Sequence, residues 1–283
     1  MTRRDYASSR GPMLWTVFCL MLCSLGFAGN ASAVTLTVNT TADSSDAAGS
    51  CGTGTCSLRD AITQAAAGDT IQFASTVTPI ITLLSPLPAI AANLTIAGPG
   101  ANVLTVSGNN SATVGTIFTI NTGVTASISG LTIANGNSNS SDQGGGGILN
   151  DGTLTVSNCT ISGNSGTGSV NNEGGGVTNF GTMAVSGSTF SGNTAANGGG
   201  IFNGDGNTLT LTNSTFSGNS ATAKGGGIYN LTGGTLTVTN STISGNSGGL
   251  GGGIETNSSA TTITNSIVAG NTATSGPDDI DGT

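Results

Sequence analysis

The sequence predicts an all-β solenoid, a parallel β-helix opened by a short N-terminal helix cap, and three observations lead there. Gly, Ser, Thr and Asn make up more than half of the 283 residues, whereas charged residues are 6%. Glycine clusters are followed by Ile148, Val177, Ile201, Ile228 and Ile254, and a Ser/Ala-Gly-Asn marker ends in phase with them at Asn164, Asn193, Asn219, Asn246 and Asn271. Two markers in phase over five copies define a repeat of about 26 residues, the signature of a stacked architecture. Within a repeat the pattern alternates with period two, as in TLTLTN at 208–213 and TLTVTN at 235–240, so Leu or Val lines one face and threonine the other.

At the N-terminus, Arg3, Arg4 and Arg10 precede an apolar run over 13–28, and Ala31-Ser32-Ala33 supplies the small residues a signal peptidase needs before Val34. Residues 1–33 therefore read as a removed secretory signal. The run is shorter than the roughly 20 residues of a spanning helix. Cys23 lacks the small preceding residue of a lipid attachment site, and the Arg3-Arg4 pair leaves the general secretory and twin-arginine routes both open.

Residues 34–93 read as the cap and first coils, with a strand over 34–38. Ser57-Leu58-Arg59-Asp60 has the spacing of a capping box and opens a short helix expected to reach Ala67. Such a helix covers the first rung, whose backbone groups would otherwise recruit other chains. Export allows a Cys51–Cys56 disulfide across Gly-Thr-Gly-Thr; metal binding by this pair is the alternative, although no His or further Cys nearby completes a site.

Residues 94–271 read as the stacked coils, less regular over 94–133, with three strands expected per repeat. Inward columns are expected at Ile148, Val177, Ile201, Ile228 and Ile254; at Leu154, Met183, Leu209 and Leu236; and at Ile161, Phe190, Phe216, Ile243 and Val268. Asn150, Asn179, Asn203 and Asn230 align at one turn, and Asn164, Asn193, Asn219, Asn246 and Asn271 at another, where stacked amides can hydrogen-bond along the axis. Cys159 falls in the column of Ser188, Ser214 and Ser241 and reads as a small packed thiol. Residues 272–283 read as a C-terminal tail whose Asp278, Asp279 and Asp281 form a solvated acidic end able to hold calcium only weakly.

The chemistry open to the chain is narrow. Without histidine it runs no Ser-His-Asp or Cys-His mechanism and builds none of the commoner zinc sites, so neither cofactor nor metal is expected. The mature part keeps Arg59 and Lys224 against twelve carboxylates, a balance that repels nucleic acid and anionic lipid. For a glycosidase, Asp151 and Asp205 occupy similar repeat positions two coils apart, a separation of about 9.6 Å that barely admits an inverting pair. Glu173 and Lys224 share another column at the same spacing, and Arg59 is expected to brace the cap or pair with Asp60. Phe202 and Tyr229 are outward neighbours that could stack on sugars. Threonines at 208, 210, 212, 235, 237 and 239 form a grid, interrupted at Ala184 and Ser186, of the kind found on ice-binding surfaces.

The segment CSLRDAITQAAAGDTIQF at 56–73 resembles the N-terminal motif of exported bacterial proteins of the CSLREA type, with Asp60 in the place of Glu. The repeats resemble right-handed parallel β-helices of pectate-lyase-like architecture, and in particular passengers of polymorphic outer membrane proteins. Phe190 to Asn193 and Phe216 to Asn219 match that group's FxxN motif, while GGGI stands for its GGAI. The ending at 265–282 resembles surface proteins with variable C-terminal anchors, and no strands of a terminal membrane barrel are seen. The resemblance implies a secreted or surface-associated, adhesin-like scaffold, outer-membrane associated or periplasmic, with glycans or surface proteins as partners. A polysaccharide lyase or glycoside hydrolase is the alternative.

Overall fold

The computed structural model describes residues 32–44, 50–138, 144–166 and 174–282. The expected signal, as far as residue 31, and Glu173 lie outside the described residues. The strands form four parallel sheets of nine, seven, eight and six strands. A regular coil visits them in a fixed order, for example Ile201–Asn203 in the seven-stranded sheet, Thr208–Thr212 in the nine-stranded, Thr215–Ser217 in the eight-stranded and Ser220–Lys224 in the six-stranded. Apart from a register shift between Thr194–Asn197 and Ser220–Lys224, strands pair in register with their equivalents one coil away, so the expected apolar columns fill the interior. Ile148, Val177, Ile201, Ile228 and Ile254 are completely buried register partners. Phe190 and Phe216 stack with centroids 4.4 Å apart and planes 3° from parallel.

The expectation of three strands per repeat is corrected to four. Segments such as Thr194–Asn197 and Ser220–Lys224 follow the Gly-Asn turn, and their Ala, Ser, Thr and Asn show no apolar alternation. They become strands because equivalent segments in neighbouring coils offer backbone partners. The glycine cluster then returns the chain to the seven-stranded sheet. There the coils meet backbone to backbone: a Cβ on Gly226 would fall inside contact distance of the Ser247 and Gly252 carbonyl oxygens. Gly226→Ala is therefore expected to cost about 1–3 kcal/mol, as overpacking does. An unchanged midpoint in denaturant melts would show that the coils separate without resistance there.

Both expected asparagine ladders form. Asn164, Asn193, Asn219 and Asn246 each donate from Nδ2 to the next residue's Oδ1, at 3.0, 2.9, 2.8 and 2.9 Å in turn, the last acceptor being Asn271. Each Nδ2 donates as well to a backbone carbonyl of the preceding coil, such as Phe190 for Asn219, and each Oδ1 accepts a second bond from a backbone N–H. The amides are thus saturated, which is what removes the cost of burying them. In the second ladder Asn150, Asn179 and Asn203 donate to the next Oδ1 at 2.7 Å, and Asn230 donates to Ser259 Oγ at 2.8 Å. A third ladder runs through the Cys159 column: the N–H groups of Cys159, Ser188, Ser214 and Ser241 donate to the next hydroxyl, ending at Ser266.

Residues 272–282 stay largely exposed but are paired onto the stack and do not form a free tail. Thr272–Ala273 and Ile280–Gly282 add strands to the six- and seven-stranded sheets. Asp279 Oδ1 accepts from both the backbone N and Nδ2 of Asn271 at 3.0 Å, so a carboxylate closes the ladder at the end toward which every amide donates. A charged acceptor there strengthens the whole polarised chain. Asp278 accepts from Ala273 N at 2.7 Å.

At the other end the helix Leu58–Gln64 is shorter than expected, because Ala65 is extended. Both halves of the Ser57–Asp60 capping box are present, and Leu58, Ala61 and Ile62 join the core. Cys51 and Cys56 form the disulfide. Arg59 does brace the cap, but its carboxylate partner is Asp43, reached through Nε at 2.9 Å and Nη2 at 2.8 Å; its guanidinium also donates to the Ser85 and Pro86 carbonyls.

Candidate binding surface

The broadest regular face belongs to the nine-stranded sheet. Its inward positions are apolar, so the pleat turns the alternate residues outward. One register row runs Thr35, Thr70, Thr95, Ser127, Thr155, Ala184, Thr210, Thr237, Thr262, a hydroxyl on every strand but one. Nine strands at the usual spacing make this row about 38 Å long. The strands of this sheet hold one charged residue, Asp69, and it is buried. The face is therefore neutral and periodic.

Beside it lies a groove of about 300 Å³ at the turns entering the sheet, lined by Asp151, Gly152, Thr153, Thr182, Asn207 and Thr208 among others. Burial raises the Asp151 carboxyl above its ordinary value. Asp205 does not share its column. Asn150, Asn179 and Asn203 are register partners, and so are Thr153, Thr182 and Thr208, so the turn after Asn203 is two residues longer and Asp205 sits exposed in that insertion.

Phe202 and Tyr229, expected outward as a stacking platform, are 0% and 5% exposed. At the turns entering the seven-stranded sheet, Gly198 and Gly225 lie close against the backbone of Phe202 and Tyr229. Phe202 lies edge-on to Phe180 and Tyr229, and Lys224 Nζ sits 5.3 Å from the Tyr229 ring centroid. The same column runs Thr178, Phe202, Tyr229, Glu255, Asp281.

Lys224 meets Glu255 in that column at 3.5 Å, a partner that the spacing to Glu173 had hidden. Glu255 Oε2 is buried without a hydrogen-bond partner among the described residues. Burial, followed by repulsion from Asp281, raises the Glu255 carboxyl above its ordinary value, and Lys224 opposes this only in part. The folded chain thus holds this proton more tightly than the unfolded chain does. The resulting stabilisation is complete below the ordinary carboxylate range and is lost as pH rises through the raised value. Glu255→Gln is expected to flatten that stretch of the stability curve in melts at stepped pH; an unaltered slope would contradict the assignment.

A family model described as a right-handed β-helix region matches residues 89–243, more than half of the chain. The chain belongs to that family. No curated protein and no solved structure matches it. The match covers the irregular early coils as well as most of the regular ones, and the cap and final coils of this right-handed β-helix lie outside it. Membership accounts for the stacking; the hydroxyl row and the Asp151 groove are features of this member's own residues.

Proposed function

We propose that the mature chain is an exported, surface-associated scaffold that binds neutral glycans, or surface proteins bearing them, through its nine-stranded face, and that it breaks no bond. The single observation that carries this reading is the hydroxyl row from Thr35 to Thr262 on a sheet whose strands carry no exposed charge. Sugars offer matching donors and acceptors at many points, and a repetitive polymer can meet a repetitive row. The acidic balance of the chain disfavours uronate-rich polymers, the usual substrates of a lyase. A hydrolase needs two carboxylates flanking one bond, and the groove lining contains Asp151 alone. The leader-like residues 1–33, the Cys51–Cys56 disulfide and the CSLREA-like and FxxN motifs support export and a place at the cell surface or outer membrane.

The test is a glycan array read with the wild type and with Thr155→Val, Thr210→Val, Thr237→Val combined, which removes three hydroxyls and keeps the shape. Each lost hydrogen bond is worth about 0.5–1.5 kcal/mol, so affinity is expected to fall about tenfold or more. Asp151→Asn should bind like the wild type. Full retention by the triple variant would reject the face as the binding surface.

A further inference from the structure

Asp69 is a buried carboxylate, 3% exposed, at the start of the second strand of the nine-stranded sheet. Its Oδ1 accepts from Val34 N at 2.8 Å and its Oδ2 from Ala66 N at 2.8 Å. While residue 33 is attached, both donors are neutral amides. The described residues contain two cationic side chains, Arg59 and Lys224, and these are paired with Asp43 and Glu255. These hydrogen bonds leave the carboxylate without a counter-charge, and a cation at the half-exposed Val34 edge is attracted to it and held in its charged form. The register Thr35 to Thr70 and the bond from Thr70 N to Val34 O hold Val34 beside Asp69, while Ser32 and Ala33 are exposed.

Resting on the reading of residues 1–33 as a removed leader, we propose that hydrolysis of the Ala33–Val34 bond makes the missing cation, and that the Val34 α-ammonium and Asp69 form an ion pair that locks the terminal strand. The peptidase brings one water. The Ala33 carbonyl to Val34 nitrogen bond breaks, the hydroxyl goes to the Ala33 carbonyl, which departs as a carboxylate on the leader, and the freed nitrogen takes up protons to become –NH3+. Maturation thereby ties down Thr35–Val38, the terminal strand of its sheet.

Lys224 is the one lysine of the sequence, so in a Lys224→Arg chain the α-amine is the one amine left to acylate. The full chain carrying this change is produced in an exporting host, its intact mass is measured, and acetylation of the amine is followed against pH. The mass is expected to place the first residue at Val34. The amine is expected to titrate above the ordinary range of about 7.7–8.0, and at pH 7 to react about tenfold more slowly than with Asp69→Asn added, the equivalent of one pK unit. A first residue other than Val34 overturns the processing site and weakens the export reading. A Val34 terminus with ordinary titration and the same rate in Asp69→Asn overturns the ion pair alone. Should Asp69→Asn fail to fold, the titration with Asp69 in place decides by itself.

Discussion

Asn219→Ala is expected to lower the unfolding free energy by about 3–5 kcal/mol, because it orphans several buried polar groups at about 1–3 kcal/mol each. The backbone N–H and Nδ2 of Asn193 lose the Oδ1 that accepts from both, and the Phe190 carbonyl loses its donor. The methyl that replaces the amide satisfies none of these groups. Because each coil contacts its neighbours alone, the damage should concentrate between the coils holding Asn193 and Asn246. Hydrogen exchange should show Thr189–Ser191 and Thr215–Ser217 losing protection first. A loss under about 1 kcal/mol would mean that the ladder contributes no more than one ordinary hydrogen bond.

Phe216→Ala should be comparably damaging, at about 3–5 kcal/mol, from lost burial and the cavity left behind. Phe216 is completely buried and stacked on Phe190 on one side, with Ile243 as its register partner on the other. Strands held by ladders above and below have little freedom to collapse into the space, so the cost should lie toward the top of that range. Phe216→Leu should lose considerably less in the same melts. Equal losses for the two variants would point to a specific aromatic requirement instead of volume.

The interior was legible in the sequence because its signal is chemical: Ile, Val, Leu and Phe recur at one repeat position, and stacking has no other use for them. The ladders were legible for the same reason, since Asn164 to Asn271 recur at fixed distance from the glycines. Coverage of the outer face was not legible. Period two says that Phe202 and Tyr229 point away from the core, but not that these positions are buried, with Phe180 beside one ring and Lys224 beside the other. Glu255 follows Tyr229 in that column, a signal available from the repeat register although Glu255 carries none of the aromatic character of its neighbours. The last coil was hidden because Asp278 and Asp279 suggest solvent by type, whereas one accepts from Ala273 and the other ends the amide ladder.

Binding without turnover is the central claim, and one sample tests it directly. Exported protein is incubated with each glycan it retains, and bound glycan and newly formed chain ends are quantified over time. The expected result is saturable retention with no new ends, and the same retention with Asp151→Asn. Accumulation of many new ends per protein molecule, abolished by Asp151→Asn, would contradict it and assign hydrolysis to the groove.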